Sequence, residues 1–181
     1  MDSRLRPNPL AAFWRDLTGQ SERWLRTLVL GVVIGRLSLV AVAGAILLAV
    51  SVTADGDVDG TMNQYSGLID ALTLEWVFVA LLFAPLTESL GIRLVVWLAG
   101  SPRGWKWPVW ATALACAALA IPIHGLGPLS LAVAPFFALM AAIQHHWMAR
   151  GRGWAGFWLI TAIHAAANGL AVLGVALLGP G

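Results

Sequence analysis

Long stretches without charge constrain this sequence more than any other feature. Five apolar segments follow one another with short polar connections, and each is about long enough to cross a bilayer as a helix. Hydrophobic residues make up 59% of the chain and charged residues 11%, whereas a soluble domain has roughly 25% charged residues. So little polar surface cannot coat a soluble globule. The sequence therefore predicts an all-α fold, a polytopic membrane helix bundle with about five transmembrane helices.

The predicted segments divide the chain into a tail and one membrane domain. Residues 1–23 are expected to form a cytoplasmic N-terminal tail, and residues 24–181 a single transmembrane helical domain. The predicted spans are about 24–52, 71–100, 108–126, 129–147 and 154–178. Pro85 should kink the second span, because proline lacks a backbone donor and its ring clashes with the preceding turn. Gly91 and Gly169 should let a neighbouring backbone approach closely.

The basic residues outside the spans predict the orientation of the bundle. All of them fall on one side of the membrane if the five spans are correct: Arg4, Arg6, Arg15, Arg23, Arg26, Arg103, Lys106, Arg150 and Arg152. The loop at 54–70 lies on the other side and contains aspartates but no Lys or Arg. Because cytoplasmic loops are enriched in Lys and Arg, the N-terminus should lie in the cytoplasm and the C-terminus outside. The compact loops favour a bacterial plasma membrane protein.

Ionisable side chains inside apolar spans are costly, so each is a candidate for function. Glu88, His124 and His164 lie on three different predicted spans. Counted from the cytoplasmic loops at helical rise, they lie roughly 22, 24 and 18 Å deep. This similar depth predicts a shared polar pocket just beyond the middle of the membrane. Asn168 lies four residues after His164 and so shares its helix face.

The other ionisable residues in the spans have less specific interpretations. Arg36 lies about a dozen residues into the first span and is either paired inside the bundle or snorkelling towards the interface, and its depth favours a partner inside the bundle. Glu75 lies near the outer end of the second span and is expected to be hydrated. His145 and His146 precede a tryptophan at the cytoplasmic end of the fourth span and are expected to be interfacial.

A carboxylate and imidazoles in a secluded pocket are the groups that hydrolyse an amide bond. An ionised Glu88, compensated by Arg93 or Arg36, could take a proton from water as a general base. Histidine and asparagine side chains can donate hydrogen bonds to the oxyanion that develops on the scissile carbonyl. The residue types alone also allow a buried ion pair or interhelical hydrogen bonds.

The order of these residues resembles the CAAX-protease and bacteriocin-processing (CPBP) family of intramembrane endopeptidases. That family has the motifs EExxxR, FxxxH and HxxxN on successive helices. The corresponding positions here are Thr87–Arg93, which reads TESLGIR, then His124, then His164–Asn168, which reads HAAAN. The resemblance covers roughly Phe78–Leu173, more than half of the chain.

This resemblance implies an intramembrane protease, a hydrolase whose substrate is a peptide or protein and whose surroundings are membrane lipids. Glu88 would activate water, and His124 would assist as a base or ligand. His164 and Asn168 would stabilise the oxyanion. The family is described both as glutamate proteases and as metalloproteases. The resemblance therefore leaves open whether Glu88, His124 and His164 hold a divalent metal such as zinc. Nothing in the sequence resembles a nucleic-acid-binding motif.

Two positions depart from the family pattern. Ser89 stands where the family has its second glutamate, and Ala120 stands where it has phenylalanine. The missing carboxylate could have oriented Arg93, positioned a histidine or bound metal, so Arg93 and Ser89 are treated as supporting residues. The departures leave two other hypotheses open. One is a non-catalytic membrane protein that binds a peptide or protein partner, and the other is a small proton-coupled transporter.

Overall fold

The computed structural model describes residues 24–53, 73–100, 107–125 and 128–178, and these ranges contain only helices and short turns. The α-helices are α1 (Trp24–Thr53), α2 (Leu74–Phe78), α3 (Ala84–Ala99), α4 (Val109–Ile123), α5 (Ala134–Ala149) and α6 (Gly153–Leu178). A π-helical segment, Val79–Phe83, joins α2 to α3, and a 3₁₀ segment, Pro128–Val133, leads into α5. The predicted all-α fold is confirmed. The predicted tail at 1–23, the acidic loop at 54–70 and the basic loop at 101–106 lie outside the described residues.

Four helical stretches in the described ranges are long and apolar enough to cross a membrane. They are Trp24–Ala49, Leu74–Ala99, Ser130–Ala149 and Gly153–Gly174. The fifth apolar helix, α4, has 15 residues, which at helical rise span about 22 Å. This is less than the hydrocarbon core of roughly 30 Å. The helix that forms is therefore shorter than the predicted span at 108–126.

The sequence at the end of α4 explains its length. Pro122 lies in its last turn and cannot donate a backbone hydrogen bond. Gly125 follows with a φ of 95°, a left-handed conformation that glycine adopts without steric cost and that commonly ends helices. Between them, His124 forms the C-cap, and its backbone N–H lies against the carbonyls of Ala120 and Ile121. The chain therefore leaves the helix at the depth of the candidate site.

Pro85, which was predicted to kink the second span, lies two residues after the end of the π-helical segment. The N–H of Ala84 donates to the carbonyl of Val79, five residues back. In the same register the next donor would be residue 85, which is a proline and has no N–H. The carbonyl of Ala80 is thereby left without a helical donor. Short π-helical segments of this kind are frequent at functional sites.

Helix α5 is the centre of the bundle, because it packs against α1, α3, α4 and α6. Met140, Ile143 and Gln144 on this helix are completely buried. The Gln144 amide donates to the carbonyl of Gly153 at 3.0 Å, which ties the end of α5 to the start of α6. The lone Cys116 on α4 is also buried. The core therefore lies around α5, and the exposed leucines and valines of α1 face outward, as expected for lipid contact.

Close packing between helices occurs at different glycines from those predicted. A Cβ added at Gly91 would meet nothing within 4 Å, and one at Gly169 would make an ordinary contact of 3.6 Å with Leu81. The prediction of close approach at these two residues is wrong. At Gly35 on α1, an added Cβ would lie 2.4 Å from the ring of Phe136. Glycine is needed there because α1 lies directly against α5.

Candidate functional site

Three helices bring Glu88, His124 and His164 together. Glu88 lies on α3, His124 caps α4, and His164 lies on α6. His164 Nε2 is 3.5 Å from Glu88 Oε2, and His124 Nε2 is 3.9 Å from Glu88 Oε1. The side chain of Glu88 is 16% exposed and that of His164 is 5% exposed. The three side chains converge as their similar depth suggests, whereas their chemical roles stay predictions.

The orientation of His124 follows from the end of α4. Its Nδ1 lies 2.9 Å from the carbonyl oxygen of Ala120, one turn earlier. Because a carbonyl can only accept, Nδ1 must carry the hydrogen. In the neutral ring this leaves Nε2 as an acceptor, and Nε2 is the atom that faces Glu88. The broken helix end therefore fixes both the position and the tautomer of this histidine.

The rings of Phe136 and Phe137 on α5 pack edge-on against the two histidines, and the side chain of His124 stays 30% exposed. Phe137 contacts His124 edge-on with ring centroids 5.3 Å apart, and it contacts His164 at 5.9 Å. Phe136 contacts His164 at 5.5 Å. The sequence does not distinguish these two residues, because their neighbours on α5 are also apolar and no periodic pattern separates a site-facing face from a lipid-facing one.

The guanidinium of Arg36 reaches into the bundle from α1. Its Nη2 donates to the backbone carbonyl of Ala167 on α6, and its Nε is buried with no hydrogen-bond partner among the described residues. No acidic side chain in the described ranges lies within 4.0 Å of it. Arg36 therefore has the internal partner that its depth predicts, but that partner is a neutral backbone oxygen.

A cavity of about 130 Å³ lies beside the histidines. Its polar wall is formed by the side chains of Arg36, His124, His164 and Asn168, and its apolar wall includes Phe136 and Phe137. Glu88 does not line this cavity itself, but both histidines that face it do. The cavity thus offers a cation and several hydrogen-bonding groups to a small polar guest.

Asn168 has a structural partner. Its Nδ2 donates to the carbonyl oxygen of Ala80 at 2.8 Å. This is the carbonyl that Pro85 leaves without a helical donor, so one amide hydrogen of Asn168 completes the backbone of the π-helical segment. The role in oxyanion stabilisation that the resemblance implies would have to use what remains of this side chain.

Arg93 does not pair with Glu88. Its Cζ lies 4.0 Å above the ring of Trp154 at the start of α6, and a Cβ added at Gly153 would lie 2.8 Å from its Nη1. The two residues form no ion pair within the described part of the chain. The hypothesis that Arg93 compensates the charge of Glu88 is therefore unsupported by this geometry, and Arg93 instead packs α3 against α6.

The remaining predicted residues lie away from the histidines or contribute no contact to them. Ser89 is completely buried, and its hydroxyl has no partner among the described residues. Glu75 is exposed on α2, as expected for a hydrated residue. His145 and His146 are half-buried near the end of α5, four and three residues before its last residue Ala149. This position agrees with an interfacial location.

The histidines and Glu88 do not form a recognisable metal centre. Within the described ranges, no group of three or more His, Cys, Asp or Glu side chains is arranged to hold a metal ion. The tautomer of His124 leaves Nε2 free to act as a ligand, but its 3.9 Å separation from Glu88 Oε1 is wider than two ligands of one zinc usually show at bond lengths of about 2 Å.

Comparison with known proteins gives no relative from which function could be transferred. A scan against protein-family models gave no match, and searches of the curated proteins and of the solved structures gave none either. The resemblance to the CPBP family therefore depends on the motif positions Thr87–Arg93, His124 and His164–Asn168. The geometry of the site is the main evidence for its function.

Proposed function

We propose that this protein is an intramembrane endopeptidase that hydrolyses a peptide bond with water activated by Glu88. The observation that carries this proposal is the carboxylate of Glu88 facing two imidazoles, at 3.5 and 3.9 Å, inside an apolar helix bundle. A general base has to reach its proton directly or through one water. The matching order of the CPBP motifs supports the same reaction class. We also propose that the protein lies in a bacterial plasma membrane, with its N-terminus in the cytoplasm and its C-terminus outside.

The nucleophilic water would lie between Glu88 and His124. Both facing atoms, the carboxylate Oε1 and the neutral Nε2, are acceptors, and they are 3.9 Å apart. A water oxygen about 2.8 Å from each could donate one hydrogen to each. Glu88 would take one proton as the water oxygen attacks the scissile carbonyl carbon, forming a C–O bond and a tetrahedral oxyanion.

Collapse of the intermediate would complete the reaction without any further reactant. The oxyanion re-forms the carbonyl, the C–N bond breaks, and the proton held by Glu88 passes to the leaving amine. The net change is water plus amide giving a carboxylic acid and an amine. His164, which Phe136 and Phe137 contact edge-on, has its Nε2 3.5 Å from Glu88 Oε2, an oxygen without a hydrogen bond among the described residues. His164 would donate to this oxygen once the carboxylate is engaged in the proton transfers.

The test is cleavage of a quenched peptide library by purified protein reconstituted in liposomes. We expect Glu88→Gln to abolish turnover, because glutamine keeps the shape of glutamate but cannot act as a base. The matched control is Glu75→Gln. It makes the same change at an exposed glutamate of the same helical stretch, Leu74–Ala99, and should keep wild-type activity. A parallel sample with a chelator separates a metal-dependent reaction from one that uses glutamate alone. Equal turnover by Glu88→Gln would refute the proposal.

The second candidate function is a non-catalytic membrane protein that binds a peptide or protein partner. Two observations favour it. Ser89 provides no carboxylate where the family has one and is completely buried, and Asn168 uses one of its amide hydrogens on Ala80. Saturable peptide binding by wild-type and Glu88→Gln protein, with cleavage by neither, would select this function over hydrolysis.

A further inference from the structure

The proposed reaction gives no role to Arg36, although this residue carries a charge deep in the membrane-spanning part of the chain. Arg36 lies 12 residues after the first residue of α1, Trp24, or about 18 Å along the helix. A guanidinium stays charged in proteins, and placing a charge this deep in a bilayer costs several kcal/mol on any scale. Such a residue is retained where the charge has a use.

The surroundings of Arg36 leave part of its hydrogen-bonding capacity and all of its charge uncompensated. Its described partner is the carbonyl of Ala167, which is a neutral acceptor. The buried Nε has no partner among the described residues, and Glu88 faces the histidines instead. A cation that is half-buried among apolar helices without a counter-charge is unfavourable. Within the described part of the chain, the cavity that Arg36 lines is a place where an anion can meet it.

Depth and size restrict the identity of that anion. A lipid phosphate lies at the membrane surface, whereas Arg36 lies near the middle of its helix. The cavity of about 130 Å³ has room for a small oxygen-bearing group, because a water in the liquid takes roughly 30 Å³. The histidines of the proposed reaction line the same cavity. A charged oxygen that is part of the reacting substrate satisfies all of these conditions.

We infer that Arg36 is a catalytic residue that binds the oxyanion of the tetrahedral intermediate. This inference rests on the proposed function. It names the side chain that stabilises the oxyanion formed when water attacks the scissile carbonyl. Asn168 then acts mainly as a structural residue, because its amide supports the carbonyl of Ala80. The scissile carbonyl is neutral in the substrate and charged in the intermediate, so a fixed cation binds the intermediate more strongly. That difference lowers the barrier.

Gly35 places the guanidinium at this point. The ring of Phe136 lies where a Cβ on residue 35 would be, at 2.4 Å, so α1 lies flat against α5 one residue before the arginine. The same ring contacts His164. One aromatic side chain therefore sets the spacing between the helix that carries the cation and the histidine that faces Glu88.

The experiment uses a binding measurement, so that it does not depend on turnover. The probe is an apolar peptide, acetylated and amidated, with a phosphinate in place of one amide bond. It is compared with the parent amide peptide on reconstituted wild type, Arg36→Gln, Arg36→Lys and, as a control away from the cavity, the exposed Glu75→Gln. A third probe is the parent peptide with a free C-terminal carboxylate. Thermal unfolding of each variant reports whether it is folded.

We expect wild type to bind the phosphinate at least about 100-fold more tightly than the amide, as transition-state analogues do. Arg36→Gln should lose this preference, Arg36→Lys should keep part of it, and Glu75→Gln should keep all of it. If wild type cleaves peptides, Arg36→Gln should lower kcat about 100- to 1,000-fold, as loss of one oxyanion donor does, with little change in KM.

The outcomes separate this inference from the proposed function. Arg36-dependent phosphinate binding without any peptide cleavage would support the anion site and reject hydrolysis. Peptide cleavage with a phosphinate preference that survives Arg36→Gln would keep hydrolysis and overturn the role of Arg36. Tighter binding of the free-carboxylate peptide than of the phosphinate would also overturn it, because the site would then recognise a substrate carboxylate. Absence of any phosphinate preference in folded wild type would overturn it as well.

Discussion

At the scale of single residues, the site is defined by which polar atoms have partners and which do not. Glu88 and its two histidines face one another at 3.5 and 3.9 Å. The hydroxyl of Ser89, one residue along, is buried without a partner in the described part of the chain. A buried polar group in this condition costs free energy. Ser89 therefore contributes neither charge nor a hydrogen bond to the site as it stands.

The first prediction concerns Ser89. Ser89→Ala should leave the free energy of unfolding unchanged or raise it by up to about 1 kcal/mol, because it removes an unsatisfied hydroxyl. Thr161→Val is the contrasting variant, since the buried Thr161 hydroxyl donates to the carbonyl of Phe157 at 2.8 Å. That change should cost about 0.5–1 kcal/mol. Both are measured by equilibrium unfolding in detergent. A loss above about 1 kcal/mol in Ser89→Ala would mean that the hydroxyl has a partner.

Only some of the residue-scale picture could be predicted from the sequence. The convergence of Glu88, His124 and His164 could be predicted because ionisable residues in apolar spans are rare and their depth can be counted. The aromatic contacts of Phe136 and Phe137 could not, because a helix that is apolar on all sides does not reveal which face meets a site. The separation of Arg93 from Glu88 agrees with their spacing, because residues five apart point about 140° away from each other on a helix. The stacking of Arg93 on Trp154 could not be predicted, because spacing within α3 does not reveal how it packs against α6.

At the scale of elements, Pro85 and the π-helical segment shape one wall of the site. The missing N–H of residue 85 leaves the carbonyl of Ala80 available, and Asn168 on α6 donates to it. This hydrogen bond joins the π-helical segment to α6 and replaces the backbone hydrogen bond that Pro85 cannot donate. Pro85 could be expected to disturb this span from the sequence. The form of the disturbance, and its repair by a residue 88 positions away, could not.

The second prediction is a coupling between Asn168 and Pro85. Asn168→Ala should cost about 0.6–1.7 kcal/mol in the wild-type background, the range measured for hydrogen bonds between membrane helices. It should cost less in the Pro85→Ala background, where residue 85 regains an N–H that can serve the preceding backbone. A double-mutant cycle of unfolding free energies measures the difference. Additive effects of the two substitutions would show that the Asn168 amide does not compensate for the proline.

The third prediction uses two glycines of α1. Gly35→Ala should lower the unfolding free energy by about 1–3 kcal/mol, the usual cost of overpacking, since its Cβ would lie 2.4 Å from the ring of Phe136. It should also reduce phosphinate binding by shifting Arg36. Gly44→Ala is the control on the same helix, because nothing lies within 4 Å of the added Cβ. Unfolding in detergent compares the two, and an equal effect would contradict the packing of α1 on α5.

At the scale of the whole molecule, one helical bundle surrounds α5, and its candidate site lies among α1, α3, α4 and α6. The fold class and the approximate spans could be predicted for two reasons. The apolar segments are long enough to cross a bilayer as helices, and a backbone in lipid must satisfy its hydrogen bonds internally, as a helix does. Pro122 and Gly125 indicate a break near the end of α4, but the exact last residue, Ile123, could not be predicted from them. That break also lets His124 face Glu88, so the end of the shortened helix belongs to the site.

The fourth prediction concerns the orientation that the basic residues indicate. Leu74→Cys, at the start of α2, should react with an impermeant thiol reagent from outside the cell, and Ala149→Cys, at the end of α5, from the cytoplasmic side. Both positions are exposed, and Cys116 is buried and can be replaced by alanine as a background. Labelling of intact cells and inverted vesicles provides the comparison. Reaction of both cysteines from the same side would contradict the predicted topology.

The most direct test of the account is hydrolysis in water labelled with ¹⁸O. Reconstituted protein is incubated with the peptide library in H₂¹⁸O, and the products are analysed by mass spectrometry. We predict new fragments whose terminal carboxylate contains one ¹⁸O atom with wild type and with Glu75→Gln, and none with Glu88→Gln. Folded wild-type protein that yields no labelled fragments, or Glu88→Gln protein that yields as many as wild type, would contradict the central claim that Glu88 activates water inside the membrane.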